Sequence, residues 1–449
     1  MKFLALAALI VGALSAGLWS LRSPSVQPPA LPPTPTLPLP AALADAPVGA
    51  AVVMWVAQAQ ARFEPCGCVA GMYGGLMRRA VLTARLPAQR VLSCELAGWS
   101  GGGSSHELLR SRYYLRGLAA AGVDAVALGS SEIALGAQSL GPQLAEAGLL
   151  GLPVLCANLD GAAGCLPAVV VTVAGRSCLV TAVAPADAAG PGLTLRDPVE
   201  AVTTQATEAA RRGLDLVILT DLDPEACKAL ARAVPQAALI LGGRAEHPSP
   251  EPVAVGQVRV LWGGNHGKVL GSWAWGEAAA AVELLHDKLP EDAGQRAILG
   301  SYQRALAEAA FDMAASGGLR ALGSASVVGS PACLSCHQNA ALAHQKSRHR
   351  QAFASLERKG YQSDPDCLRC HVTALGEGGY RRGIPVFAEV GCEACHGPGS
   401  VHTTAALAGR PADGRLPKLS PATCVGCHDA ENSPHFAYPS YWPRILHGP

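Results

Sequence analysis

The sequence predicts a layered α/β domain followed by a small domain of short helices and irregular chain, and two observations predict that division. Between about residues 50 and 280, short apolar runs alternate with helical patterns, the texture of strands and helices stacked in layers. From Ser326 to Pro449 apolar runs are few and periodicity is weak, so polypeptide alone would make a thin core there. That same stretch carries the pattern C-x-x-C-H four times. At 449 residues the chain is too long for one ordinary domain. Its composition is 49% hydrophobic and 15% charged, with a formal net charge of +1. That balance argues for folded domains with ample core and against a nucleic-acid binder, which would show a basic excess.

The amino-terminal segment 1–22 reads as a signal peptide or an N-terminal membrane anchor. Lys2 precedes an uncharged run from Phe3 to Leu21, ended by Arg22. The run is longer than a usual signal-peptide core and just long enough to span a bilayer, while small residues at Ala13, Ser15 and Ala16 permit cleavage. Either reading exports the rest of the chain. Residues 23–48 form a proline-rich linker, with eight prolines between Pro24 and Pro40. Such a stretch favours polyproline II and acts as a semi-rigid spacer, which makes most sense beside an uncleaved anchor.

Residues 49–285 are the α/β domain. Strands are expected at AVVMWVA, VLSCELA, DAVALG, PVLCANL, CLVTAVA, LVILTDL, AALILGG and VRVLWGG, with helices near Leu76–Leu86 and Leu108–Ala121. The pattern implies a mostly parallel or mixed central sheet. Residues 286–325 connect the domains, and 291–317 read as one helix ended by Gly317 and Gly318. Cys94, Cys156 and Cys178 fall in apolar strand runs and read as buried core. Cys66 and Cys68 follow the first strand and precede Gly74-Gly75-Leu76-Met77-Arg78-Arg79. Two thiols near a helix N-terminus and two arginines suit a redox or metal-binding pair; a strained disulfide, or two idle thiols in a turn, is the alternative. His106 and His286 read as ordinary satisfied residues, and His247 and His266 as late-loop residues able to line a pocket.

The order of these strands resembles the catalytic domain of 5′-nucleotidase-type metallophosphoesterases. The resemblance implies two metals held by Asp-x-His, Gly-Asp and Asn-His-Glu loops and by late histidines, activating water against a phosphate ester. The matching loops here carry Glu64-Pro65-Cys66-Gly67-Cys68, Ala97-Gly98-Trp99, Gly129-Ser130-Ser131-Glu132 and Gly242-Gly243-Arg244-Ala245-Glu246-His247. Serines and an arginine do not replace imidazole and carboxylate ligands, so a scaffold that has lost its dinuclear centre is expected. E-P-C-G-C followed by G-G-L-x-R-R resembles a phosphatase-like subfamily marked by that cysteine pair.

Residues 326–449 hold the chemistry that is clearest in the sequence. Of fifteen cysteines, eight sit in C-x-x-C-H: Cys333/Cys336/His337, Cys367/Cys370/His371, Cys392/Cys395/His396 and Cys424/Cys427/His428. This is the pattern of c-type haem attachment, in which two thiols form thioethers to the porphyrin vinyls and the next histidine ligates the iron. Zinc sites place histidine at other offsets. Four covalent haems c are therefore expected, and they would supply the missing core. Arg348, Arg350, Arg381 and Arg382 are candidate partners for haem propionates.

The segments HQNAALAHQKSRHRQAFASL, DPDCLRCHVTALG, VGCEACHGPGSVH and CVGCHD…YWPRILHG resemble the tetrahaem cytochrome c-554 family, from Ser330 to Gly448. The resemblance implies that His349, His402 and His447 are distal ligands. One haem, that on Cys367/Cys370, would then lack a histidine on its far side unless His344 or His435 fills the place. Haem maturation of this kind is extracytoplasmic, so a periplasmic location, tethered to the inner membrane, is expected. Three functions remain open: electron transfer between redox protein partners, a redox enzyme acting on a small nitrogen or sulfur compound at an open haem or at Cys66/Cys68, and an exported phosphoesterase.

Overall fold

A computed structural model describes residues 37–65, 72–309, 311, 325–377, 380–381, 384–430 and 432–447. The expected anchor, the linker up to residue 36, the Cys66/Cys68 pair and the carboxyl end of the connecting helix lie outside the described residues. Among the described residues no helix is long and apolar enough to cross a membrane.

Two mixed six-stranded sheets replace the single central sheet that the strand pattern suggested. The first contains β1 (Val52–Val56), β2 (Val91–Glu95), β3 (Ala125–Ala127) and β4 (Val154–Leu155) in parallel, with β13 (Val269–Ala274) antiparallel beside β1 and β14 (Ala281–Leu284) antiparallel beside β13. After a short antiparallel pair, β5 (Leu159–Asp160) with β8 (Thr194–Leu195), the second sheet is built. Its parallel centre is β7 (Arg176–Val183), β9 (Asp215–Thr220), β10 (Ala237–Gly242) and β12 (Val258–Trp262). The strands β6 (Ala168–Val173) and β11 (Val253–Val255) close its edges antiparallel.

The sheets face each other, with helices on both outer faces. Alternation along β1 sends Val53 and Trp55 into the layer between the sheets, with Leu92, Cys94, Cys178, Val217, Leu239 and Trp273. Val52, Met54 and Val56 point the other way, against Leu76, Tyr114, Leu115 and Leu118 of the covering helices. Because β1 is buried on both faces, its sequence reads as an unbroken apolar run. Each large side chain so buried contributes roughly 1.5–3 kcal/mol.

The helix Ser105–Ala120 opens on a capping box: the Ser104 hydroxyl takes the Glu107 N–H, and the Glu107 carboxylate takes the Ser104 N–H. Such a cap stabilises by about 1 kcal/mol. This helix packs on the helix Ala293–Ala309, where the rings of Tyr113 and Tyr302 lie 5.8 Å apart. The helix Leu76–Thr83 starts at Gly75, whose φ is 100° and where a Cβ would stand 2.6 Å from the Phe63 carbonyl oxygen. Only glycine fits both conditions.

Beyond residue 325 the chain forms short helices joined by turns, and its largest apolar cluster is Phe353, Leu356, Leu368, Val372 and Leu375. Tyr361 packs against both this cluster and the α/β domain core.

Candidate functional site

Each C-x-x-C-H begins in, or is contained by, a short helix: Ser330–Leu334, Pro365–His371, Cys392–His396 and Pro421–Val425. One helical turn is what the motif needs. Residues three and four apart share a helix face, so first cysteine, second cysteine and histidine are presented together. The turn is closed by backbone bonds from His337 N–H to the Cys333 carbonyl (3.1 Å) and from His428 N–H to the Cys424 carbonyl (2.9 Å). Asp364 caps the helix Pro365–His371 by accepting the Asp366 N–H.

The four motifs are folded against one another. The Cys333 thiol is within hydrogen-bonding reach of Cys392, and the Cys370 thiol of Cys427. Cys336 is exposed, whereas the other seven motif thiols are half-buried. It lies beyond the end of the helix Ser330–Leu334, with the Ser335 hydroxyl 3.9 Å from its sulfur. Glu393, inside the third motif, is buried and accepts N–H groups from Val328 (2.9 Å), Gly329 (2.6 Å) and Gly399 (2.7 Å). It ties the first and third motifs to the helix Ser400–Leu407. Nothing in the spacing of the motifs pointed to this glutamate.

The histidines meet in pairs. His337 faces His402 with ring centroids 6.1 Å apart, His349 faces His428 at 6.1 Å, and His396 faces His447 at 6.0 Å. Two imidazoles bound on opposite sides of one iron, each about 2 Å from it, have centroids roughly 6 Å apart. The Nδ1 of His402 is buried with no hydrogen-bond partner among the described residues, a polar atom that a metal bond would satisfy. Burial pushes His349, His396 and His428 down from the usual imidazole value, favouring the neutral form that binds metal. The Nδ1 of His371 lies 2.7 Å from the Ala352 carbonyl oxygen, an N–H···O bond that orients Nε2 for a metal. The Nε2 of His344 donates to the Val390 carbonyl at 2.9 Å, and His435 is exposed. With so few apolar side chains buried here, the residues present suit a core made of porphyrin. Of the arginines considered for propionates, Arg350 pairs with Glu389 at 2.9 Å.

The strand ends of the α/β domain are held together by the protein's own groups. Glu132 is buried and accepts N–H groups from Ser100 (2.9 Å), Gly98 (3.1 Å) and Gly129 (3.1 Å). Asp221 accepts the Ser130 N–H at 2.9 Å and pairs with Arg244 at 2.8 Å. The Gln58 side-chain amide donates to the Gly243 carbonyl at 2.9 Å. His266 lies in the left-handed region at φ 54°, with Nδ1 3.4 Å from the Gln60 side-chain oxygen.

Arg78 and Arg79, the two arginines near the cysteine pair in sequence, both have partners within the α/β domain. Arg79 is buried against Glu95, and burial pushes the Glu95 carboxyl up to about 7 despite this partner. Arg78 donates to the carbonyls of Met72 (3.2 Å) and Leu285 (3.3 Å). Cys94, Cys156, Cys178 and Cys227 are buried thiols, and no disulfide joins the described cysteines.

Residues 332–397 match the family described as cytochrome c554 and c-prime. The cytochrome c554-like segment thus spans three of the four motifs. Cytochrome c-554 of Nitrosomonas europaea is 36% identical over 85 residues, which cover 15% of this chain and 36% of that protein. The chain therefore spans about a third of that relative's length. The upstream domain is similar to NAD nucleotidase from Haemophilus influenzae (TM-score 0.50, 14% identity), over 62% of this chain and 63% of that one. It also matches a 5′-nucleotidase precursor from Thermus thermophilus (TM-score 0.49, 22% identity), over 63% and 62%. In each case less than two thirds of the other chain is covered, and the likeness is one of fold: mixed α/β sheets of the 5′-nucleotidase and metallophosphoesterase kind.

Proposed function

We propose that this chain is an exported, membrane-tethered tetrahaem cytochrome c that passes electrons between redox partners, built beside a phosphatase-like domain without a dinuclear metal centre. The observation that carries the haem reading is the set of three histidine pairs near 6 Å. Each joins one motif histidine to one of His402, His349 and His447. In this reading Cys333/Cys336, Cys367/Cys370, Cys392/Cys395 and Cys424/Cys427 attach the haems, and His337, His371, His396 and His428 are the proximal ligands. The haems supply one-electron transfer at the irons. The protein's part is to hold neutral imidazoles at the right separation and to exclude water. Since His349, His402 and His447 serve the other three irons, the haem at Cys367/Cys370 is the one with room for a different ligand.

Loss of the dinuclear site is supported by Glu132 and Asp221, whose oxygens are taken by backbone N–H groups and Arg244. An exported location is supported by the apolar run Phe3–Leu21 and by where haem attachment of this type takes place.

A second reading, redox chemistry on a small nitrogen or sulfur compound, draws on one contact. The Tyr361 hydroxyl donates to Glu64, two residues before Cys66 and so within about 7 Å of it along the chain. Tyr361 itself lies just before the Cys367 motif helix.

Mass, metal content and spectra of one purified sample test the proposal. Expected are four haems per chain, no further pair of divalent ions, three low-spin bis-histidine irons and one iron of different ligation. Two additional bound divalent ions would restore the phosphoesterase reading. Four identical low-spin bis-histidine irons would remove haem-centred catalysis.

A further inference from the structure

Among the described residues, the helix Pro365–His371 is the one motif helix that the α/β domain grips through ion pairs. Arg110, on the helix Ser105–Ala120, donates through Nη1 to Asp366 Oδ2 at 2.5 Å. His106, one turn earlier on the same helix, places Nε2 3.1 Å from Asp366 Oδ1. Both carboxylate oxygens are thus taken by a domain that carries no haem, and Asp366 is the residue immediately before Cys367. Two residues earlier, the buried Asp364 receives the Tyr302 hydroxyl at 3.4 Å. Gln303 donates to the Lys359 carbonyl at 3.0 Å, which fixes the approach of the same segment. Burial pushes the Asp366 carboxyl up, yet the His106 hydrogen bond and the Arg110 charge outweigh it and hold the group well below the usual range. His106, Glu107 and Asp366 stand close enough to hold a cation, but Asp366 is already bound on both oxygens by Arg110 and His106.

We propose that Arg110 and His106 are positioning residues that set the reduction potential of the haem carried by Cys367 and Cys370, by pinning Asp366 and compensating its charge. The proposal rests on the four-haem reading above. Its physics is Coulombic. Reducing iron(III) to iron(II) adds one electron, delivered by the donor partner, so an uncompensated anion nearby opposes the step and an uncompensated cation favours it. In the partly buried boundary between the domains, solvent screens such a charge less than it does at the open surface.

The test is a redox titration of the purified, haem-loaded protein. Arg110→Gln leaves the Asp366 carboxylate uncompensated, and one of the four components becomes harder to reduce. Asp366→Asn leaves the guanidinium uncompensated, and the same component becomes easier to reduce. The double variant returns it close to its starting value, and Arg110→Lys restores most of the effect of Arg110→Gln. Each single change alters the reduced-to-oxidised ratio of that component at fixed potential by roughly three- to tenfold. A purely structural contact would move both single variants in one direction, or all four components together; either result, or no shift, overturns the proposal. His106→Gln, a milder change, shifts the component less and in the same direction as Arg110→Gln. A mass showing no haem at Cys367 and Cys370 would overturn the four-haem reading and the proposal with it.

Discussion

Asp124 shows how a single side chain sets a measurable property of the α/β domain. Its carboxylate accepts the Ser93 N–H at 2.8 Å where the chain enters β3, and burial pushes it from the usual 3.8 up to about 6. The fold therefore favours the protonated form. That contribution is complete below about pH 4 and is lost as pH rises through 6. Asp124→Asn keeps an oxygen for the Ser93 N–H and removes the charge. It should leave thermal stability unchanged near pH 3.5 and raise it above pH 7 by of order 1–2 kcal/mol, after allowing for partial solvent screening. Unfolding curves of the two proteins at both pH values check this, and equal stability above pH 7 would refute it. Sequence reading could not find this group, because an aspartate before an apolar run looks like any turn residue.

At the scale of elements, short helices carry the histidines and the folding of those helices pairs them. His402 lies in the helix Ser400–Leu407, which Glu393 fastens through Gly399 at its start. His402→Ala removes the imidazole facing His337 and leaves the attachment cysteines in place. The expected outcome is one fewer low-spin iron by electron paramagnetic resonance, with haem content unchanged; an unaltered low-spin count would show that His402 is not a ligand. The motif helices were legible in sequence because cysteine, cysteine and histidine lie within one turn. Of the strands, β1, β2, β3, β4, β7, β9, β10 and β12 matched apolar runs. The edge strand β6 and the returning strands β13 and β14 were not expected. β6 is a partly exposed edge strand, while β13 finds its partner β1 far along the chain and carries Gly271 and Ser272 in an otherwise apolar stretch.

The whole molecule combines two ways of making a core. The α/β domain buries its own side chains in three layers, two between helices and sheets and one between the sheets. Among the described residues the carboxyl-terminal part has one small apolar cluster, and in the proposed reading haems supply the rest. A chain produced without haem attachment should therefore keep a cooperatively unfolding α/β domain while residues 326–447 become open to protease. Limited proteolysis with mass mapping distinguishes this from equal protection of both parts, which would show that the polypeptide is self-sufficient. The domains still meet through Arg110, His106 and Asp366, through Tyr302 and Asp364, and through Glu64 and Tyr361.

The sequence by itself determined the attachment motifs and the layered character of the first domain. Both are written in short-range patterns: five residues spanning about one helical turn, and the alternation of apolar runs with helical ones. It also marked Arg244 and the serines at positions 130 and 131 as poor metal ligands. Tertiary structure alone decided that the strands divide into two sheets, since an apolar run buried on both faces does not name its neighbours. It likewise decided that His337 meets His402, His349 meets His428 and His396 meets His447. Arg79 meets Glu95, and Arg110 meets Asp366, for the same reason. A charged side chain brought out of water takes the partner that the fold places within reach, and sequence distance does not measure that reach.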